Sequence, residues 1–347
     1  MKKSYLITGG CGFFGSNLAA RLLERGETVV LFDNLSRTGS SENLRWLRSL
    51  GQADLIQGDV ADSCALEDTI KKVRPLAVFH LAGQVAMTTS VLDPFGDFRT
   101  NVLGTMNLLE KLRLYCPEAV LVYSSSNKVY GKLAGIHLVE RATRYEAPGH
   151  PKGIDESTPI DFRTPYGCSK GAADQYVLEY ARTYGLRTVV FRHSTIYGSR
   201  QYSTNDQGWV GWFCRQSLIQ KENPGAPPFT IAGNGKQVRD LLYIQDALDC
   251  YLAAQLNIGK VAGRVFNLGG GMENSLSLLE LLDFFEKKLD IKLRYERLSP
   301  RYDDQKFFVS NNQAVSKCLN WAPQTGKNKG LEALIAWTQS ALKSTLP

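Results

Sequence analysis

The stretch Ile7-Thr8-Gly9-Gly10-Cys11-Gly12-Phe13-Phe14-Gly15 decides the fold. It follows a short apolar run, Ser4–Thr8, and opens a segment with Leu18, Leu22 and Leu23 at helical spacing. Between a strand and a helix, Gly9 permits a sharp turn and Gly12 lets the backbone approach a pyrophosphate. Gly15 lets the helix pack close to the strand. The helix N-terminus, entered at Phe13 and Phe14, then offers free N–H groups and a positive dipole to phosphates. The spacing is GxxGxxG, one residue longer than the commoner GxGxxG.

Outward from this turn, short apolar runs alternate with amphipathic segments. Thr28–Phe32, Leu55–Gln57, Ala77–Leu81, Val120–Ser124 and Thr188–Arg192 read as strands. Near-continuous apolar strands separated by helices predict an α/β fold, a Rossmann-type doubly wound parallel sheet covered on both faces. Beyond Tyr197 the pattern loosens, and helices return near Ile244–Leu256, Ser277–Lys288 and Gly330–Leu342. Two interleaved domains are expected. Residues 1–193 and about 237–268 bind the dinucleotide, and about 194–236 and 269–347 form a smaller α/β substrate domain.

Asp33 closes the second strand, 18 residues after Gly15. A carboxylate there accepts hydrogen bonds from ribose hydroxyls and repels a 2′-phosphate, which favours NAD over NADP. Arg37 argues the other way, since an arginine can pair with a 2′-phosphate, but Asp33 is the closer feature. Gly58-Asp59-Val60 and His80-Leu81-Ala82-Gly83 mark further strand ends for the same wall.

Tyr166 and Lys170 stand four residues apart, on one face if helical, with Pro165 at the first turn. A free phenol has a pKa near 10. Bringing it near 7 takes about 4 kcal/mol, which Lys170 and a cationic nicotinamide can supply. Lys170 can also hold the nicotinamide ribose. The run Val122-Tyr123-Ser124-Ser125-Ser126 ends a strand at the sheet edge where ligands sit. Ser126 can pass a proton or hold the reacting hydroxyl.

Composition narrows the class. The formal charge is +7 with no block of like charge, which gives no basic stripe for nucleic acid. No apolar stretch is long enough to span a membrane. Seven scattered cysteines, with no C-x-x-C pair, read as reduced thiols of a cytoplasmic protein. The four histidines lie far apart, and no metal is expected.

The constellation resembles the extended short-chain dehydrogenase/reductase family, whose members act on nucleotide sugars. TGGCGFFG, Asp33-Asn34-Leu35-Ser36, Asn101-Val-Leu-Gly-Thr105, SSSNKVYG, Tyr166-x-x-x-Lys170 and Gly233-Asn-Gly-Lys-Gln-Val-Arg239-Asp240 carry the resemblance over nearly the whole chain. It adds Asn34, Ser36, Asn101, Ser124, Ser125 and the backbone of His193 to the expected cofactor contacts. HLAGQVAMTTS (80–90), FRHSTIYGSRQ (191–201) and DQGWVGWF (206–213) look like the branch that inverts C2 of a CDP-linked hexose. That implies a CDP-sugar partner, transient oxidation by tightly held and recycled NAD, and a place in lipopolysaccharide or O-antigen biosynthesis. Gln84, Met87, Thr88, Ser126, Asn127, Lys128, Thr195 and Gln207 would face the sugar nucleotide, with Arg239 and Arg301 gripping its diphosphate.

Departures from the family pattern choose among reactions. Dehydratases carry an acid just after the active-site Ser or Thr, whereas Asn127 and Lys128 follow Ser126 here. UDP-galactose 4-epimerases often have a lysine where this chain has Val85. The family often pairs through helices such as Pro94–Tyr115 and Tyr166–Tyr184, so a homo-oligomer, dimer or tetramer, is implied. Two roles fit the long segment 132–164: a lid over the sugar, or a passive surface insertion. A UDP-hexose 4-epimerase and a non-catalytic NAD-binding sensor are the alternative functions.

Overall fold

Alternate residues of the first strand face two different layers. Tyr5 and Ile7 pack into one apolar cluster and Leu6 into another. This follows from the two-residue period of a strand with helices on both sides. The computed structural model describes residues 4–301 and 303–343. Strands β1 (Ser4–Thr8), β2 (Thr28–Asp33), β3 (Asp54–Gln57), β4 (Ala77–His80), β5 (Val120–Ser126), β6 (Arg187–His193) and β7 (Arg264–Leu268) form one parallel sheet. Their order is β7-β6-β5-β4-β1-β2-β3. The order reverses between β1 and β4, which opens a crevice beyond their C-terminal ends. β7 is not among the expected strands; the polar Asn267 interrupts its short apolar run.

Helices Phe13–Glu24 and Ile244–Leu256 contribute to the cluster on one face. Ser63–Val73, Gly104–Tyr115 and Thr164–Tyr184 contribute to the other. The expected helix Pro94–Tyr115 is broken: Pro94–Phe98, a π-helical turn Arg99–Leu103, then Gly104–Tyr115.

A smaller body holds a third cluster under helices Trp209–Glu222, Leu278–Leu289 and Lys327–Lys343. Its sheet pairs Val238–Tyr243 with Thr195–Tyr197, Ser275–Ser277 and Phe307–Phe308. The edge expected near residue 237 therefore shifts. Val238–Tyr243 pairs in the small sheet, and the chain enters the large body with Ile244. Val315, Leu319 and Trp321 also return to the large core, inside a range assigned to the substrate domain.

Segment 132–164 is pinned along its length. Tyr145 N donates to Lys236 O, Ile154 N to Val309 O, and Asn267 Nδ2 to Ile154 O. Ala147 and Ile154 pack with Phe307 and Phe308. None of its residues lines the main cavity.

Candidate active site

The crevice at the β1/β4 reversal is a cavity of about 530 Å³. The glycine turn forms one wall. Gly9 has a φ of +68°, and a Cβ there would lie 2.7 Å from Ala82 N. A Cβ on Gly15 would lie 2.2 Å from Gly9 O, so only hydrogen fits where helix meets turn. No side chain caps helix Phe13–Glu24 at Gly12, which leaves its first N–H groups for a ligand.

Asp33 is buried and ties the turn to β2: its Oδ2 accepts from Cys11 N (2.9 Å) and its Oδ1 from Leu35 N (2.8 Å). Burial raises its pKa, and these two backbone donors pull it back. Asn34 Nδ2 donates to Asp59 Oδ2 (3.0 Å), which joins the loops after β2 and β3. Asn34, Ser36, Arg37, Asp59, Val60, Leu81, Ala82 and Gly83 all line the cavity, as do Gly9, Gly12, Phe13, Phe14 and Gly15. The shape, the glycine cradle and the buried carboxylate fit NAD.

Ser124, Ser125, Ser126, Tyr166, Lys170 and His193 line the other end. β5 extends through all three serines and pairs Ser126 with His193. Its three serines alternate. Ser125 Oγ donates to Asp174 on the buried side (2.7 Å), while Ser124 Oγ lies 3.2 Å from His193 Nδ1. His193 Nε2 is 2.7 Å from Tyr251 Oη. Burial and Lys170 push His193 down to about 3, so it stays neutral.

Tyr166 and Lys170 both lie on helix Thr164–Tyr184, and both are buried. Lys170 Nζ donates to Ser124 O at 2.6 Å and sits 4.5 Å from the Tyr123 ring centre. Burial lowers Lys170 to about 8, against the pull of Asp174 and Asp97. Burial pushes Tyr166 up to about 12, and the neighbouring Ser126 hydroxyl draws it part of the way back. The lowering expected from Lys170 together with a cationic nicotinamide has to work against this desolvation of the anion.

Other expected residues fall elsewhere. Asn101 is buried behind the wall, and Thr100 reaches the cavity in its place because of the π turn. Gln84 lines the cavity, but its amide is used internally, by Ala86 and Asp97. Met87 and Thr88 start helix Met87–Leu92 outside the lining. Thr195 and Gln207 line it. Asn127, Lys128, Arg239 and Arg301 do not. Asn127 Nδ2 donates to Gln305 (3.1 Å), and Lys128 and Arg239 both donate to Asp304 Oδ1 (3.2 and 3.0 Å). Arg301 reaches Asn205 O at 3.3 Å and shares the field of the same carboxylate. Lys128 and Arg239 thus converge on Asp304, a residue the sequence motifs do not single out. Ser194, Ile196, Gln201, Gly208 and Trp209 were also missed as wall residues. Gly208, with φ +75° before helix Trp209–Glu222, was the available signal for a loop-to-helix entry there.

Residues 5–269 match the NAD dependent epimerase/dehydratase family. A CDP-paratose 2-epimerase of Salmonella typhi is 50% identical over 335 residues, covering 96% of this chain and 99% of the relative. UDP-glucose 4-epimerase of Thermotoga maritima, solved with UDP-glucose, superposes with a TM-score of 0.83 at 28% identity, covering 98% and 99% of the two chains. UDP-glucose 4-epimerase of Thermus thermophilus, solved with NAD, gives 0.80 at 26%, covering 97% and 99%. A dinucleotide cradle at the switch point, a Tyr–Lys pair across from it, and a match over most of the chain agree: this protein belongs to the NAD dependent epimerase/dehydratase family.

Proposed function

We propose that the protein inverts C2 of a CDP-linked hexose, of the CDP-paratose/CDP-tyvelose type, by transient oxidation to a 2-keto sugar. The observation that carries this reading is the 50% identity to a CDP-paratose 2-epimerase, spanning nearly both chains. The absence of an acid after Ser126 supports it, because loss of water would need one.

Gly9, Gly12, Gly15, Asp33 and Lys170 would hold NAD, which when bound takes a hydride from the sugar and returns it. Tyr166 Oη removes the hydroxyl proton during oxidation and gives it back after the ketone has turned its other face. The phenol, near 12 in the free protein, carries its proton at neutral pH and must be lowered before it can accept one. A positive charge brought by the cofactor would lower it. Ser126 holds the hydroxyl, and Lys170 keeps a cation beside it. Arg239, Lys128 and Arg301 would share the diphosphate with Asp304 as their counter-ion. A pocket firm there and loose at the hexose lets the sugar rotate without release, with NAD tightly held and recycled.

The free state of all seven cysteines supports a cytoplasmic setting. No described helix is long and apolar enough to cross a membrane. Leu92, Phe95 and Phe98 are exposed, as are Leu114 and Tyr176, apolar surface that supports a homo-oligomer.

Side-by-side assays of CDP-, UDP- and GDP-hexoses test the substrate. Inversion at C4 of a UDP-hexose, with none at C2 of a CDP-hexose, would refute the reading. Tyr166→Phe should lose turnover by about a hundredfold or more while NAD remains bound; full activity would sink the role of Tyr166.

A further inference from the structure

Asp97 is a carboxylate with 1% of its surface exposed, on helix Pro94–Phe98, just ahead of the π turn. Burying a carboxylate is costly unless its lone pairs are satisfied, and here neutral groups satisfy them. Ser169 Oγ donates to Oδ2, and Gln84 Nε2 donates to Oδ1 at 2.9 Å. Asn101 Nδ2 adds a long contact at 3.4 Å. Ser169 stands between Tyr166 and Lys170 on their helix.

Gln84 is the other half of the arrangement. Its Nε2 also donates to Ala86 O (2.8 Å), and its Oε1 accepts from Ala86 N (2.5 Å). Its backbone N–H donates to Asn101 Oδ1, and its carbonyl accepts from Asn101 Nδ2, both at 3.0 Å. The loop Gly83–Ala86 is thus wound around one glutamine, and that glutamine is anchored on Asp97. Gly83, Gln84 and Val85 line the cavity on the side of Lys170.

We propose that Asp97 is a positioning residue for the epimerisation: its buried carboxylate clamps the Gly83–Ala86 wall to Ser169 and so holds that wall in register with Tyr166 and Lys170. Asp97 touches neither sugar nor cofactor and acts through Gln84 and Ser169. A rotating 2-keto sugar needs a wall that stays still while it turns, and a wall displaced by about 1 Å lowers the rate of productive encounters more than binding.

The kinetic part of this proposal rests on the C2-epimerase reading; its structural part does not. The test uses the full-length, NAD-loaded protein and its Asp97→Ala, Asp97→Asn and Gln84→Leu variants. Amide hydrogen exchange reads the loop, and steady-state kinetics with the CDP-hexose read the reaction. Asp97→Ala should raise exchange at Gln84 and Ala86 at least tenfold and lower kcat about tenfold, with KM within twofold. Asp97→Asn, whose Oδ1 still accepts from Gln84, should restore loop protection and most of kcat. Gln84→Leu removes the same clamp from the other side and should reproduce both losses, even if Asp97→Ala does not fold. Variants that melt earlier but keep wild-type loop exchange and kcat would overturn the proposal and leave Asp97 a scaffold residue. A wild-type protein inactive on CDP-hexoses, with loop exchange still responding to Asp97→Ala, would overturn the C2 reading and spare the clamp.

Discussion

Replacing Gly15 by alanine isolates what the turn does. The added Cβ would sit 2.2 Å from Gly9 O and 2.8 Å from Gly10 Cα, both backbone atoms. An ordinary carbon–oxygen contact is about 3.3 Å, so helix Phe13–Glu24 and the turn must part by roughly 1 Å. Such overpacking costs about 1–3 kcal/mol. For a chain of 347 residues, with about 2.1 cal/mol/K of unfolding entropy per residue, this lowers Tm by about 1–4 °C. The same shift withdraws the turn's N–H groups from a phosphate. Losing one charge-assisted hydrogen bond, about 1.5–3 kcal/mol, weakens NAD binding about 10- to 100-fold. Gly12→Ala is the control, because its Cβ would meet only Gly9 O, at 3.2 Å. It should keep Tm within about 1 °C yet still weaken NAD binding, since its methyl points at the pyrophosphate site. The assays are thermal melting at fixed NAD and protein concentrations, and isothermal titration with NAD. A Gly15→Ala protein with wild-type Tm and wild-type NAD affinity would refute the reasoning.

Three further outcomes concern buried charge and the reacting hydroxyl. Arg192 holds Asp174 through two hydrogen bonds of 2.9 Å, with the side chains 4% and 0% exposed. Arg192→Met should cost about 3–5 kcal/mol in urea unfolding because Asp174 is stranded, and Arg192→Met with Asp174→Leu should recover much of it. His80, held between Thr8 (2.6 Å) and Thr105 (3.0 Å), is pushed down to about 3, chiefly by burial and then by Lys170. Its folded pKa lies below the ordinary 6.5. Its contribution is therefore complete above pH 6.5 and is lost as pH falls toward 3. His80→Gln should flatten the fall of the urea midpoint over that window, and an unchanged slope would remove His80 as its source. Ser126→Ala should lower kcat about 10- to 100-fold with NAD content unchanged, as measured on the purified protein.

The parallel sheet, the dinucleotide turn and the Tyr166–Lys170 pair were legible because each is local. A turn that only glycine can make, a two-residue strand period and an i,i+4 helical pair are written in consecutive residues. Chain reading also placed Asp33 at the end of β2, since a strand end and a distance along the chain were enough.

What only the tertiary structure decided involves partners far apart in sequence. Asn101 lies behind the wall and Thr100 on it because a π turn shifts the helix by a residue, which no local propensity announces. Lys128, Arg239 and Asp304 meet across more than sixty residues of chain, so the carboxylate that gathers the cations was invisible. Segment 132–164 is anchored where Ile154 bonds Val309, a partner more than 150 residues away. The protonation of Tyr166 is decided in the same way. Sequence supplies the phenol and a nearby ammonium, but burial raises the pKa of the free phenol, and burial is a property of the packed whole.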